Sequence, residues 1–311
     1  MKSRVLAILV SSALGCSVAV SARAADPVRV PGTTTSLEPP SGFSPAERFP
    51  GFQNRELQSS IVVTELPAPA AALIAGMTEE GLASKGMQLL SSSKQQVGGR
   101  AAVLLHTAQN AGGTEFLKWM LLTGDETSSV MVVGTFPKSL EAKVGDAIRS
   151  ALLSASWSKA GSGDSFEGLS FRVTPSSKLK VAGRFMNLLL LSESGSMTQQ
   201  DPAEAYYVVG PSVSTVPIED LQAFSETRAK QTAQVKEVQN VQGRAFELGK
   251  LRAYELLADA ADAKSGLPLR LYQVVALDGD GYVIAQGFVG AARASEMLAE
   301  FRSVTESFER K

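Results

Sequence analysis

The sequence predicts an α+β protein built from two tandem α/β sandwich domains, each a mainly antiparallel sheet flanked by helices. Apolar stretches with the alternation of strands are joined by short Gly/Asp turns, and such short connections require the neighbouring strands to run antiparallel. The same order of strands and helices occurs twice in 311 residues, which indicates a repeated unit. The contents of 44% hydrophobic and 20% charged residues are ordinary for globular domains.

The first 25 residues have the pattern of a secretory signal peptide. A short basic start precedes the apolar run VLAILVSSALGCSVAV, and Ala22 and Ala24 then give the small-x-small pattern of a cleavage site. We expect cleavage near Ala24 and Ala25 and a periplasmic or secreted protein. No later stretch approaches the roughly 20 apolar residues that a membrane-spanning helix needs, so we predict no transmembrane segment after signal removal.

Cys16 is the only cysteine of the chain and lies inside this signal. One alternative is a lipoprotein anchored through Cys16. A lipobox usually has Leu three positions before the cysteine, but here that residue is Ala13, so ordinary cleavage is favoured. The cleaved chain would hold no thiol, which excludes disulfides and thiolate chemistry. It would carry 27 basic and 31 acidic residues, hence a net charge of −4, without a basic run for nucleic acid.

The first copy is predicted over residues 26–158. Its strands are SIVVTEL, AAVLLHTA, FLKWMLLTG and SVMVVGTF, with a turn at Gly124–Glu126. One helix is predicted over AAALIAGMTEEGLASKG. A second is predicted after Pro137, capped by Ser139, because apolar residues recur every three or four positions through Leu140, Val144, Ala147, Ile148, Ala151 and Leu152.

The second copy is predicted over residues 166–311, after a Gly/Ser-rich linker at 159–165. A helix is predicted over IEDLQAFSETRAKQTA, and strands follow with a hairpin turn at Asp278–Gly281. The last helix carries the stripe Met297, Leu298, Phe301, Val304 and Phe308. We place Phe136 and Phe288 at equivalent positions of the two copies, and likewise Trp157 and Phe308.

The segments SLEPPSGFSPAERFPGFQN, SIVVTELPAP and VGGRAA, with the helix after Phe-Pro, together resemble the PsbP-like α/β/α sandwich superfamily, which includes DcrB-like bacterial envelope proteins. The resemblance covers nearly all of residues 33–157 and is weaker over 166–310. It implies a central antiparallel sheet with helices on its faces. It also implies accessory, assembly or binding functions rather than one activity, and it transfers no site residues to this chain.

His106 is the only histidine and lies within an apolar strand. A catalytic histidine needs a nucleophile or an orienting carboxylate beside it. The second copy has Leu257 or Ala258 at the equivalent place, so the repeated fold does not require a histidine there. A structural role is favoured, and contact with a ligand is the alternative.

Other reaction chemistry has little support, and we predict no catalytic residue, metal or cofactor. One histidine and no mature cysteine cannot build an ordinary zinc site. The stretch DGDGY begins like a calcium loop, but Tyr282 replaces the third acid and Val289 stands where Glu is needed. No G-x-S-x-G sequence occurs, and VGGR lacks the Lys-Ser/Thr of a phosphate loop. Asp278–Gly281 is predicted to be a hairpin turn, and VGGR is predicted to turn the chain between two antiparallel strands.

Three phenylalanines, Phe43, Phe49 and Phe52, lie in the Pro/Gly-rich opening segment. They either cap the sheet or line a cleft as ligand contacts, and capping is favoured.

The sequence therefore predicts an exported, non-catalytic accessory or binding protein of the bacterial cell envelope. Its partner would be an envelope protein or a small ligand, held at a sheet face, a sheet edge or the cleft between the domains. One alternative is a carboxylate-based hydrolase or carbohydrate-active enzyme, which two buried carboxylates facing each other across a deep pocket would favour. The other alternative is a purely structural envelope assembly factor.

Overall fold

The computed structural model describes residues 26–158, 164–199, 201–213, 215 and 217–311. The predicted signal peptide and residues 159–163 of the predicted linker lie outside the described residues. The chain forms two separate seven-stranded sheets in which every pair of neighbouring strands is antiparallel. This confirms the predicted two-domain α+β class, whereas the exact domain boundaries remain predictions. We call residues 26–158 the first half and residues 164–311 the second half.

The first half contains ten strands and three α-helices among its described residues. The strands are β1 (Val28–Arg29), β2 (Thr35–Leu37), β3 (Ser44–Pro45), β4 (Gly51–Asn54), β5 (Ser59–Leu66), β6 (Met87–Val97), β7 (Arg100–Ala111), β8 (Thr114–Gly124), β9 (Ser129–Pro137) and β10 (Ser156–Trp157). The helices are α1 (Ala70–Ala75), α2 (Glu79–Ala83) and α3 (Asp146–Leu153). A 3-10 turn (Lys138–Leu140) and a π-helical turn (Glu141–Gly145) precede α3.

The second half contains nine strands and two α-helices in the part that the structure describes. The strands are β11 (Phe171–Arg172), β12 (Lys180–Phe185), β13 (Leu188–Ser192), β14 (Tyr206–Pro211), β15 (Val235–Leu248), β16 (Leu251–Asp262), β17 (Pro268–Asp278), β18 (Gly281–Gly290) and β19 (Glu309–Arg310). The helices are α4 (Leu221–Lys230) and α5 (Ala294–Glu306), with a 3-10 turn (Ala291–Arg293) before α5. No helix among the described residues is long and apolar enough to cross a membrane.

The two large sheets have the same strand order. It is β3-β4-β5-β9-β8-β7-β6 in the first half and β12-β13-β14-β18-β17-β16-β15 in the second. The VGGR stretch forms the hairpin between β6 and β7, where Gly98 and Gly99 have φ of 56° and 76°. These left-handed backbone conformations favour glycine because it lacks a Cβ. Gly249 forms the matching turn between β15 and β16, and the two turns align the halves.

Helices cover both faces of each sheet. In the first half α3 packs on one face with Phe136, Ile148 and Leu152, while α1 and α2 cover the other face. In the second half α5 covers one face and α4 the other. The helices α3 and α5 approach their sheets closely at a glycine. A Cβ on Gly134 would lie 2.2 Å from an Ile148 methyl, and one on Gly287 would lie 2.7 Å from the Phe301 ring.

Two helix predictions differ from the structure. The single helix expected over residues 70–86 is two short helices, because α1 ends at Gly76 and Thr78 starts a new helix by accepting a hydrogen bond from the Gly81 amide. Ser139 does not cap the helix after β9. Ser139 lies inside the 3-10 turn, whose N-cap position is Pro137, and proline has no side-chain acceptor that could cap it.

The equivalence assigned to Phe136 and Phe288 is wrong. Trp119 pairs with Gly134 in the first sheet, and Tyr272 pairs with Gly287 in the second. Gly134 and Gly287 are therefore equivalent. Phe136 lies two residues after Gly134, so its counterpart is Val289, which lies two residues after Gly287. Phe288 instead packs on the α4 face. A shift of one residue moves a side chain to the opposite face of a strand. Phe136 therefore lies on the face covered by α3, whereas Phe288 lies on the face opposite to the one covered by α5.

Candidate functional site

A cavity of about 370 Å³ lies between the two halves. The first half contributes Glu47 and Arg48, from the turn between β3 and β4. The second half contributes side chains from β11, β14, the β17–β18 hairpin and β19. This volume falls in the range of small-molecule sites, which occur preferentially at domain interfaces. We call this cavity the inter-half cleft.

One wall of the inter-half cleft is apolar. It consists of Phe171, Pro211, Val283 and Phe308. The rings of Phe171 and Phe308 are stacked, with centroids 5.6 Å apart. Strand β11 pairs with β19, and this short ribbon brings Phe171 beside Arg310. An apolar wall joined to a few charged groups is the usual composition of a ligand site.

The charged side chains of the inter-half cleft carry a net positive charge. Arg48, Arg310 and Lys311 outnumber Glu47 and Asp278 by three to two. Arg310 forms an ion pair with Asp278, and the Lys311 Nζ donates to the Phe166 carbonyl at 2.8 Å. These contacts hold the cations in place, and a guanidinium with five N–H donors keeps others free for a ligand.

A second ion pair joins the halves at the edge of the cleft, between Arg48 and Asp280. Asp280 lies in the predicted β17–β18 hairpin turn, where Asp278 pairs with Gly281. The hydrogen bond from Arg48 lowers the pKa of Asp280 below its ordinary value. The carboxylate therefore stays charged, and paired with Arg48, to a lower pH than an ordinary aspartate does.

The three phenylalanines of the opening segment are not among the residues that line the inter-half cleft. Phe52 is 1% exposed and belongs to the core of the first half, and Phe43 packs against that core. Phe49 is half-buried next to Arg48 in the chain. The sequence pointed to this segment through its aromatic residues, but the residues of it that line the cleft are Glu47 and Arg48.

His106 lies in β7, opposite Trp119 of β8. The two rings are stacked with centroids 4.0 Å apart, and the Arg149 guanidinium lies 5.6 Å from the Trp119 ring centroid. Burial lowers the pKa of His106, which favours the neutral imidazole. Aligned on the VGGR hairpin and its counterpart at Gly249, His106 corresponds to Leu257. The environment of His106 is thus a stack of rings on the α3 face, away from the cleft lining.

Glu255 in β16 is the only buried acid among the residues that the structure describes. Arg302 binds both of its oxygens at 2.9 and 3.0 Å, and Arg244 Nε lies 3.1 Å from Oε1. Burial opposes ionisation of Glu255, but the two arginines outweigh it and its pKa is lowered. A carboxylate that is paired with two arginines and has a lowered pKa is poorly suited to act as a general acid. The signal for it in the sequence was an acid at an inward-facing position of an apolar strand.

A two-carboxylate hydrolase would be favoured by two buried carboxylates facing each other, and Glu255 is the only buried acid in the described part of the chain. Such an enzyme needs a second carboxyl group facing the first across the substrate site. In the same ranges, no group of three His, Cys, Asp or Glu residues could hold a metal ion. The fold and the cleft define a two-sheet α+β protein with a ligand-sized cavity between its halves.

No protein-family model and no curated protein matches this chain. Among solved structures, it is similar to LpqN, involved in cell envelope biogenesis of Mycobacterium tuberculosis, with 13% identity and a TM-score of 0.34 over 44% of this chain and 81% of that one. The immunity protein TplEi of Pseudomonas aeruginosa has 11% identity and a TM-score of 0.32 over 89% and 95% of the two chains.

A third structure among those to which the chain is similar is a PsbP protein. Cyanobacterial PsbP from Synechocystis has 14% identity and a TM-score of 0.26, over 50% of this chain and 98% of that one. At such TM-scores these similarities carry no conclusion about function. The proposal below is argued from the chain's own residues.

Proposed function

We propose that this chain is an exported, non-catalytic binding protein of the bacterial cell envelope whose ligand occupies the inter-half cleft. The observation that carries the proposal is the cleft itself, a cavity of about 370 Å³ with an apolar wall and a few fixed charges. Export rests on the signal peptide predicted at residues 1–25. The envelope is the compartment that such a signal and the PsbP-like and DcrB-like resemblance favour.

The chemistry of the cleft favours a ligand with an apolar body and an acidic group. The half-buried ring of Phe308, stacked on the buried Phe171, offers a surface for the apolar body. The N–H donors of Arg310 and Lys311 in the lining favour an anionic group. Arg310 could bind a carboxylate or a phosphate, because a guanidinium presents paired N–H donors to such anions. The ligand could be a small acid or an acidic segment of an envelope protein.

We also infer that the two halves arose by duplication of one unit. The identical strand order supports this, as do the matching glycine turns after β6 and β15 and the paired glycines under α3 and α5. Duplicated domains side by side create an interface that neither copy has alone. The cleft lies at that interface, so duplication would explain how a common fold acquired it.

The proposal is tested by a thermal-shift screen of small carboxylates and phosphates with apolar bodies. A ligand at 100 times its Kd adds about 2.7 kcal/mol to the free energy of unfolding, which corresponds to a rise in Tm of about 5–10 °C. We expect some of these acids to stabilise the wild-type protein. Ser170→Trp should abolish the shift, because Ser170 lines the cleft and the indole would fill it.

The matched control is Ser303→Trp, which adds the same bulk on the exposed side of α5 and should keep the shift. Equal shifts in wild type and Ser170→Trp would contradict binding in the cleft. No shift with any acid of the screen would favour the purely structural role. Turnover of an added compound would favour the hydrolase.

A further inference from the structure

The strands β6 and β15 occupy the same place in the two sheets, at the end of each strand order. Each pairs with one neighbour, β6 with β7 and β15 with β16. Within the described ranges, no strand pairs with their outer sides. An unpaired edge presents free N–H and C=O groups that can pair with another chain, and proteins usually protect such edges.

The edge of β15 is protected against pairing with another chain by irregularities of its backbone. Its pairing with β16 shifts register twice, between Lys236 and Gln239 and between Gln239 and Gln242. Glu237 and Asn240 have φ of 55° and 52°, so the backbone leaves the regular strand conformation at both places. Bulges of this kind twist an edge away from a straight partner. A regular strand could not pair along β15 without interruption.

The edge of β6 lacks this protection along seven residues. Its pairing with β7 is regular from Ser91 opposite His106 to Val97 opposite Arg100, and its one register shift lies before this stretch. The side chains of residues 91–94 are exposed. They are three serines and Lys94, so the stretch contains one charge and no proline. An edge stretch without a bulge or a proline leaves its outward N–H and C=O groups open to pairing with another strand.

We propose that the β6 strands of two copies of this chain pair antiparallel around Ser93 and join two seven-stranded sheets into one continuous sheet. A twofold axis at Ser93 places Ser93 opposite Ser93 of the second copy, Ser92 opposite Lys94, and Ser91 opposite Gln95. The two lysines therefore do not face each other, and every pair includes a small hydroxyl side chain. An isologous contact of this kind closes as a dimer.

A second copy fits this edge better than a foreign strand does. Strand addition gains affinity from the backbone, but specificity comes from pockets for alternate side chains. Three adjacent serines give a foreign sequence little to recognise. A second copy brings the same small side chains in a register that separates the only charges. This pairing is independent of the proposed function, because no residue of β6 lines the inter-half cleft.

The test is the mass of the protein in solution, measured by light scattering across a dilution series. We expect the wild type to form a dimer that dissociates on dilution. Ser92→Lys combined with Ser93→Lys places lysines opposite each other at three positions of the pair. Like charges directly opposite destabilise paired strands, and we expect the dimer Kd to rise tenfold or more. Ser92→Glu places a glutamate opposite Lys94 and should lower the Kd.

The matched control is Gln239→Lys combined with Val241→Lys on β15, which should leave the dimer Kd unchanged. Circular dichroism checks that each variant is folded, and the opposite responses to Ser92→Lys/Ser93→Lys and Ser92→Glu cannot both arise from misfolding. A wild type that stays monomeric at every concentration would overturn the proposal, as would equal Kd values for all variants. The thermal shift with cleft ligands, measured on the same variants, reports separately on the proposed function.

Discussion

Replacing Thr305 with valine is expected to lower the free energy of unfolding by about 2–4 kcal/mol. The Thr305 Oγ1 lies 2.7 Å from the Tyr207 hydroxyl and 3.0 Å from the Tyr272 hydroxyl, and it donates to the Phe301 carbonyl at 2.9 Å. All three hydroxyl-bearing residues are buried. Valine keeps the shape but leaves two phenol groups without an acceptor, and each unsatisfied group costs about 1–3 kcal/mol.

Urea denaturation of matched variants measures this effect. Thr305→Ser keeps the hydroxyl and should cost less than Thr305→Val. In a Tyr207→Phe, Tyr272→Phe background the phenols are gone, so Thr305→Val should then be nearly neutral, because removing both partners of a hydrogen bond avoids the unsatisfied group. If Thr305→Val lowers the free energy of unfolding equally in both backgrounds, the valine disturbs packing and the shared hydroxyl contributes little.

Replacing Phe136 with alanine is expected to destabilise the first half by about 3–5 kcal/mol, the usual cost of removing a buried aromatic ring. Phe136 is 0% exposed and lies in the core under α3. A Cβ added to Gly145 would lie 3.5 Å from the Phe136 ring, so this ring also supports the π-helical turn. Its loss would leave a cavity between β9 and the start of the helix.

Urea denaturation again measures the change in the free energy of unfolding, and hydrogen exchange shows which backbone amides lose protection. The control is Phe43→Ala, which removes the same ring from a half-buried position against the same core and should cost clearly less. Exchange should accelerate in β5, β8 and β9 more than in β17 and β18. If Phe136→Ala lowers the free energy of unfolding no more than Phe43→Ala does, the claim that Phe136 is a main contributor to this core is contradicted.

Local turn chemistry explains which parts of the fold could be predicted from the sequence. The VGGR and DGDG turns were predicted because glycine there tolerates backbone conformations that other residues avoid. The helix α4 was predicted from the stretch IEDLQAFSETRAKQTA, and the structure supplies the local reason for its start, because Asp220 accepts a hydrogen bond from the Ala223 amide. Features of this kind depend on residues close together in the chain.

Strand register could not be predicted in the same way. Assigning Phe288 as the counterpart of Phe136 required counting across an insertion, and an error of one residue reverses the face. The break between α1 and α2 was missed because the apolar pattern continues across Gly76. Tertiary packing decides the strand register, whereas the break between the helices is decided locally, by Gly76 and the Thr78 cap.

The cleft was the least predictable feature. Arg48 and Arg310 come from opposite ends of the chain, and neither lies in a recognisable motif. Their proximity depends on how the two sheets are placed against each other. The sequence drew attention to His106 because it is unique, whereas the structure places it in a ring stack with Trp119. Rarity in composition did not identify the site.

Native mass spectrometry of the protein purified from its native host without denaturation tests the central claim most directly, that the inter-half cleft holds a ligand. We expect a population of the wild type to carry a non-covalent small molecule, and Ser303→Trp to carry the same mass. Ser170→Trp should show the mass of the bare chain. A wild type that shows only the bare mass, or a Ser170→Trp variant that retains the adduct, would contradict the account.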